Sequence, residues 1–239
     1  MTIDPTVAIG DSSEVNATQY SFQRHIVRTS DGTLHSFIQK RTLTESCGGS
    51  NLGGLLWFNS TDSGTTWTCR GQLDSSSIYF SSAVADASDN IYVVYSNTVG
   101  NVNGGSVVLY RKFTKGSGAS WTMETAQVML FDSATKGYSE TSIEIQGSTR
   151  LWVTTRLNDN NTDRIAVYYS DGFGAAPTWT ASSTTLATAR YSQLVRFGSK
   201  MGVIYGTLSK FYWRFRELES RYERWLPRSE PRASEGGAR

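Results

Sequence analysis

The sequence predicts an all-β protein built from repeated four-stranded antiparallel units, and three observations carry that expectation. Tryptophans close four similar segments at Trp67, Trp121, Trp179 and Trp225, which lie 54, 58 and 46 residues apart. Each segment holds short apolar runs broken by Gly-, Asp- and Ser-containing turns, and no amphipathic helical pattern is visible before residue 211. The composition suits pleated, half-buried strands, with 12% aromatic residues and 22 Gly against only 4 Pro. A repeat of this length made of strands and turns is the mark of a β-propeller blade, so about four blades are expected.

Each unit opens with a strand, a tight turn and a second strand. In the first, His25-Ile26-Val27-Arg28 leads through Ser30-Asp31-Gly32 to Leu34-His35-Ser36-Phe37-Ile38. The second runs Ser82-Ala83-Val84-Ala85, Ser88-Asp89-Asn90, Ile91-Tyr92-Val93-Val94-Tyr95. The third runs Ser142-Ile143-Glu144-Ile145, Gln146-Gly147-Ser148, Leu151-Trp152-Val153, and the fourth Gln193-Leu194-Val195-Arg196, Gly198-Ser199-Lys200, Met201-Gly202-Val203-Ile204-Tyr205. Asp-Gly and Asp-Asn between apolar runs supply the positive φ that tight hairpins need. A third strand and a hairpin ending at the tryptophan complete each unit. The expected organisation is one domain over residues 1–225, with blades at about 20–68, 69–122, 123–180 and 181–225.

After Arg214 the chain contains no Asp or Asn, while Arg, Glu, Ser and Pro crowd in. Residues 214–225 fit either a helix or a degenerate last hairpin, and 226–239 read as a tail too polar to bury a core. This shift reads as a truncated or frame-altered propeller. If the ring closes at four blades, Thr6-Val7-Ala8-Ile9 is the obvious donor of the last strand.

A formal net charge of +2 without a clustered basic face argues against a nucleic-acid footprint. No run approaches the 18 apolar residues of a membrane span, and Met1-Thr2-Ile3-Asp4-Pro5 lacks the basic start and apolar stretch of a secretion signal. The expectation is a cytosolic protein or one whose leader is missing.

The hairpins carry a more specific pattern. Ser60, Asp62, Gly64, Thr66 and Trp67 fit Ser-x-Asp-x-Gly-x-Thr-Trp in full. A second copy ending at Trp121 lacks the Asp, and a third keeps Ser170, Asp171, Gly172 and Trp179 with an insertion. The pattern resembles the Asp-box (BNR) repeat of the sialidase superfamily over roughly residues 20–225. Its physical role is structural: the Asp accepts hydrogen bonds from its own turn, and the Trp packs between neighbouring hairpins. The resemblance implies that these boxes lie on an outer rim, away from any substrate.

Register points to where function would lie, because first strands of successive blades converge on a central channel. Three residues back from Ile26, Ala83, Ile143 and Leu194 stand Gln23, Phe80, Glu140 and Tyr191. At the far end of the second strands stand Gln39, Ser96, Arg156 and Gly206, of which Arg156 alone is charged. The resemblance to sialidases extends to these positions. Ser139-Glu140-Thr141-Ser142-Ile143 followed by Leu151-Trp152-Val153-Thr154-Thr155-Arg156 is similar to the family's Glu-then-Arg spacing. Gln23-Arg24-His25-Ile26 with Asp31-Gly32-Thr33-Leu34 echoes its opening segment without the Pro, and Arg190-Tyr191-Ser192-Gln193-Leu194 its nucleophile segment. The implied roles are Glu140 and Tyr191 as the catalytic pair and Arg24 and Arg156 as clamps for a substrate carboxylate. No metal or cofactor is called for, and the implied partner is a carbohydrate or other acidic small ligand.

Departures from the family pattern favour a rival reading. Residues 40–59 contain no Asp to serve as general acid, Glu45 being the sole acidic residue there. A third clamp arginine has no clear position, with Arg214 and Arg216 as the candidates within reach. Cys47 and Cys69 flank the best-formed hairpin, as either a disulfide or two thiols. His25 and His35 lack the neighbours that would complete a metal site. The polar stretch Asn158-Asp159-Asn160-Asn161-Thr162-Asp163 reads as a solvated strand connection rather than a Ca²⁺ loop. Two functions are therefore expected: a sialidase-type glycoside hydrolase acting on an acidic sugar, or a non-catalytic propeller serving as a binding or assembly scaffold.

Overall fold

The structure is a computed structural model, and it describes residues 24–40, 46–47, 50–51, 54–75, 78–98, 106–118, 120–131, 136–159, 162–187, 189–207 and 210–218. Among these residues every regular element is a strand and no helix occurs. The first sheet begins with β1 (Ile26–Arg28) and β2 (Leu34–Lys40). A two-stranded ribbon of β3 (Ser46–Cys47) and β4 (Ser50–Asn51) follows, and β5 (Gly54–Ser60) and β6 (Thr68–Asp74) complete the sheet in the order β1-β2-β5-β6. The second sheet contains β7 (Ile78–Ala85), β8 (Ile91–Thr98), β9 (Ser106–Lys115), β10 (Trp121–Met123) and β11 (Gln127–Phe131), with both β10 and β11 paired to β9. β12 (Lys136–Gln146), β13 (Arg150–Asp159), β14 (Thr162–Asp171) and β15 (Thr180–Ala187) form the third in chain order. β16 (Ala189–Phe197), β17 (Lys200–Thr207) and β18 (Lys210–Glu217) form the fourth.

All pairings are antiparallel. Trp67, Trp121 and Trp179 are each followed by a strand of their own sheet, and the first three sheets run on to Asp74, Phe131 and Ala187. Residues 210–217, rich in Phe, Tyr and Trp, are strand rather than helix. Thr6-Val7-Ala8-Ile9, Gln23, Glu45, Trp225 and the tail 226–239 lie outside the described residues.

The sheets stack in chain order, and an apolar layer fills each gap. Val27, Phe37, Leu55 and Trp57 of the first sheet meet Ala83, Ile91, Val93, Tyr95 and Phe113 of the second. Tyr92, Val94 and Tyr110 meet Ile143, Leu151 and Val153 in the next layer. Trp152, Ile165 and Val167 meet Leu194, Met201 and Val203 in the last. Alternation along β8 explains how one strand serves two layers: Ile91, Val93 and Tyr95 point to the first sheet, Tyr92 and Val94 to the third, and all five are fully buried. Such strands read as continuous apolar runs because both faces are covered. The half-buried strands expected from composition are found elsewhere, as in β6, of which Leu73 alone is buried.

First strands carry the seams between sheets. The Ala83 amide donates to the Arg24 carbonyl at 3.0 Å, the Ile143 amide to Ser82 Oγ at 3.4 Å and the Leu194 amide to Ser142 Oγ at 3.2 Å. Ala83, Ile143 and Leu194 each face the preceding sheet and are at most 1% exposed, whereas Ile26, in the first sheet, has no described sheet before it and is 45% exposed.

The turn from Ser60 to Trp67 behaves as its residue types require. Asp62 accepts from the Thr66 amide (2.8 Å), Thr66 Oγ1 (2.6 Å) and Ser60 Oγ (2.7 Å), which hold its carboxyl down at about 2. Ser60 Oγ takes the Gly64 amide at 2.8 Å, and the Trp67 indole N–H closes on the Gly64 carbonyl at 3.1 Å. Gly64 has φ +92, a backbone state that favours glycine. In the third copy the role has changed: Asp171 pairs with Arg150 across β13–β14. Trp121 and Trp179 wedge against the preceding sheet, Trp121 edge-on to His35 at 4.4 Å and Trp179 edge-on to Tyr110 at 5.6 Å.

Cys47 and Cys69 form a disulfide that ties the ribbon to β6 across 22 residues. Reduction should lower stability by about 3 kcal/mol through the freed loop, read as a fall in the urea midpoint with dithiothreitol. Phe37 is fully buried between the first two sheets, 5.5 Å from the Phe113 ring. Phe37→Ala should cost about 3–5 kcal/mol in chemical denaturation, and a loss under about 1 kcal/mol would contradict the stacked-sheet core.

Candidate functional site

The site grows from an irregularity in the third sheet. β12 and β13 pair regularly from Gln146↔Arg150 to Ser142↔Thr154, and the register then shifts before Ser139↔Arg156. Glu140 sits in this bulge with φ 53, a left-handed conformation unusual for glutamate. Thr155 Oγ1 donates to the Ser139 carbonyl at 2.9 Å and pins the distortion. The bulge leaves the Glu140 residue 1% exposed.

Two guanidiniums meet that carboxylate. Arg156 Nη1 lies 3.4 Å from Glu140 Oε1, and Arg190 Nε lies 3.6 Å from the same oxygen. Glu140 Oε2 is buried with no hydrogen-bond partner. The main engagement of Arg156 is elsewhere: Nε and Nη2 grip Asp163 at 2.8 and 2.9 Å, and Asn158 Nδ2 adds a 2.8 Å bond to Asp163. The β13–β14 hairpin makes this possible by setting Asn158 opposite Asp163. Arg190, on β16, keeps its guanidinium 5.7 Å from the Tyr191 ring, within cation–π range, and its side chain is 33% exposed.

Two carboxylates and two guanidiniums balance in charge, yet their environments differ. Burial drives the Glu140 carboxyl up to about 7, against the pull of Arg156 and Arg190 and with a push from Asp163. Burial also opposes ionisation of Asp163, but the Arg156 and Asn158 donors outweigh it and hold that carboxyl below the ordinary aspartate range. Asp163 is thus the permanent anion and Glu140 the group that titrates near neutrality.

Among the residues singled out from sequence, Glu140 and Arg156 meet directly. Tyr191 stands on β16 opposite Gly206, next to the arginine that reaches Glu140. Arg24 does not join them: it bonds Glu144 at 2.7 Å, further along β12 toward its hairpin turn. Arg214 and Arg216 lie on β18 opposite Tyr205 and Val203. The sequence reading missed Arg190 and Asp163. Arg190 opens the segment quoted for Tyr191, and folding the 158–163 hairpin on paper would have put Asp163 beside the second strand.

Within the polar 158–163 stretch, Asp159 pairs with Arg164 and Asp163 with Arg156. Among the described residues no group of three or more His, Cys, Asp and Glu is placed to hold a metal ion. His25 Nδ1 faces the Phe37 carbonyl at 3.2 Å, while His35 Nδ1 faces the Trp57 indole nitrogen at 3.1 Å. Burial lowers both pKa values, that of His35 to about 4. No described helix is long and apolar enough to cross a membrane.

No protein family and no curated protein matches the chain. Among solved structures it is similar to a protein of unknown function from Dyadobacter fermentans DSM 18053, with a TM-score of 0.56 and 16% identity over 81% of this chain. The match spans 59% of that protein's length. At this identity the likeness concerns the fold alone.

The carboxyl of Glu140 yields a signed expectation for stability. Its folded value of about 7 lies above the ordinary 4.5, so its contribution is fully present below about pH 4.5 and is lost as pH rises to about 7. His25 and His35 act oppositely, their contribution being lost as pH falls below about 6.5. The stability difference between the native protein and Glu140→Gln isolates the glutamate. It should decline by on the order of 3 kcal/mol from pH 4.5 to 7 in urea titrations, and a flat difference would contradict the buried carboxyl.

Proposed function

We propose that the chain is an Asp-box β-propeller of the sialidase superfamily that binds an acidic sugar where its first strands begin, with Arg190 and Glu140 as polar anchors and Tyr191 beside them. The complete Asp-box turn and the seams between successive first strands support the propeller reading. The observation that carries the ligand reading is Arg190: it is one-third exposed, its Nε has no hydrogen-bond partner, and its carboxylate neighbour stands at 3.6 Å. Such a guanidinium is free to take a ligand carboxylate through its remaining fork. Glu140 beneath it, held by Arg156, offers Oε2 to a sugar hydroxyl that reaches it as Arg190 moves to the ligand.

Arg156 then works as a positioning residue. Its fork is already filled by Asp163, and breaking a buried pair of this kind leaves an uncompensated charge. Arg24, neutralised by Glu144, has no part in this site.

Hydrolysis is the second reading, and one observation favours it. A carboxyl raised by burial to about 7 and met by Arg190, the residue before Tyr191, is suited to draw the phenol proton once the hydroxyl reaches it, as the oxygen attacks an anomeric carbon. The absence of Asp from 40–59 leaves the leaving group without the family's usual acid, so binding is the reading preferred here.

A calorimetric titration with sialic acid and a dehydrated analogue tests the proposal. Both should bind the native protein, and Arg190→Gln should weaken them at least tenfold without lowering the melting temperature. Arg156→Lys should instead lose about 3–5 kcal/mol of stability by opening the Asp163 fork. No heat at millimolar ligand would leave the scaffold reading in its place.

A further inference from the structure

The ends of the first strands that lead into their hairpin turns enclose a cavity of about 980 Å³, separate from the Glu140 cluster. β1, β7, β12 and β16 all contribute to its wall, and Arg24, Arg28 and Arg196 face it together with the acids Glu144 and Asp86. The acids are already engaged. Glu144 accepts from Arg24 Nη2 at 2.7 Å and from the Ile145 amide at 3.0 Å. Asp86 accepts from the Ser88 and Asn90 amides, Asn90 Nδ2 and the Tyr92 hydroxyl at 2.6–3.0 Å.

Two cations are not engaged. Arg28 and Arg196 are exposed, and neither meets a carboxylate within ion-pair distance among the described residues. Apolar surface accompanies them. Ile26 is 45% exposed and Phe197 55%, two of the three large apolar side chains exposed among the described residues, and both line this cavity. Phe173, tilted against Tyr92 at 5.4 Å, adds a third apolar wall.

We infer that this cavity is a second ligand site that takes a small organic oxyanion with an apolar body. The oxyanion lies between Arg28 and Arg196, which offer forked donors, and the body lies against Ile26, Phe173 and Phe197. Charge complementarity sets the sign of the ligand, because Glu144 is neutralised by Arg24 and Asp86 is filled by four donors while two guanidiniums remain unmet. The exposed apolar side chains, concentrated at one concave place, set its body. The inference is independent of the acidic-sugar reading, which concerns the opposite end of the same strands.

Titration calorimetry with 3-phenylpropionate, phenyl phosphate, inorganic phosphate and 3-phenylpropionamide provides the test. One or both ring-bearing anions should bind, and the tighter of them identifies the oxyanion as carboxylate or phosphate. Inorganic phosphate and the neutral amide should bind at least tenfold more weakly. The double substitution Arg28→Gln/Arg196→Gln should weaken the anions at least tenfold, and Phe197→Ser several-fold. Both variants alter exposed side chains and should keep the native melting temperature. Arg190→Gln should leave these affinities unchanged. Failure of both ring-bearing anions to bind, equal binding of the amide, or loss of binding in Arg190→Gln would each overturn the second site.

Discussion

The seam between neighbouring first strands is the interaction on which the rest of this structure depends. Antiparallel sheets satisfy their own backbone internally, and nothing in that pairing orders one sheet against the next. Here order comes from the Arg24 carbonyl and from the hydroxyls of Ser82 and Ser142, which take amides from the following sheet. Small, buried serines allow the strands to approach closely, and their polar atoms would be costly to bury unpaired. The apolar layers on either side then fill the gaps between sheets.

A second lock lies at the turns. Asp89, with φ 63, accepts the Ser30 amide and hydroxyl at 2.6 Å each, while Lys115 bridges Asp89 and Asp31 at 2.5 and 3.2 Å. A residue of the second sheet's turn is thereby tied to the first sheet's turn, and Trp121 closes over the join through its bond to the Asp89 carbonyl. The strained backbone at Asp89 is offset by these bonds. That at Glu140 is not fully offset, since Oε2 stays unpartnered. Strain combined with an unmet polar atom separates a candidate functional position from a structural one.

The two ends of the first strands have different chemistry, with the bulge in β12 between them. Above it, at the start of β12, carboxylates and guanidiniums are buried and nearly balanced, so small displacements of Arg190 alter the field at Glu140. Below it, toward the turns, the acids are engaged and exposed arginines stand beside apolar side chains. The single ion pair of Arg24 with Glu144 belongs to this lower region, which is why a residue matched to the sialidase opening segment stands apart from Glu140.

Much of the local architecture was legible in the chain itself. The turns at Asp31-Gly32 and Asp89-Asn90, the apolar strands between them and the Asp62 turn follow from residue type and spacing, because each is decided by near neighbours. The pairing of Glu140 with Arg156 was legible too, since both lie on one hairpin. Three matters waited for the tertiary structure: the capture of Asp163 by Arg156, the approach of Arg190 to Glu140 and the diversion of Arg24 to Glu144. Each depends on how a strand sits against a sheet or across a bulge, and such contacts span 7 to 120 residues of sequence. Periodicity fixes which face of a strand is apolar, but the depth to which one sheet slides against the next is set by side-chain packing that no single segment contains.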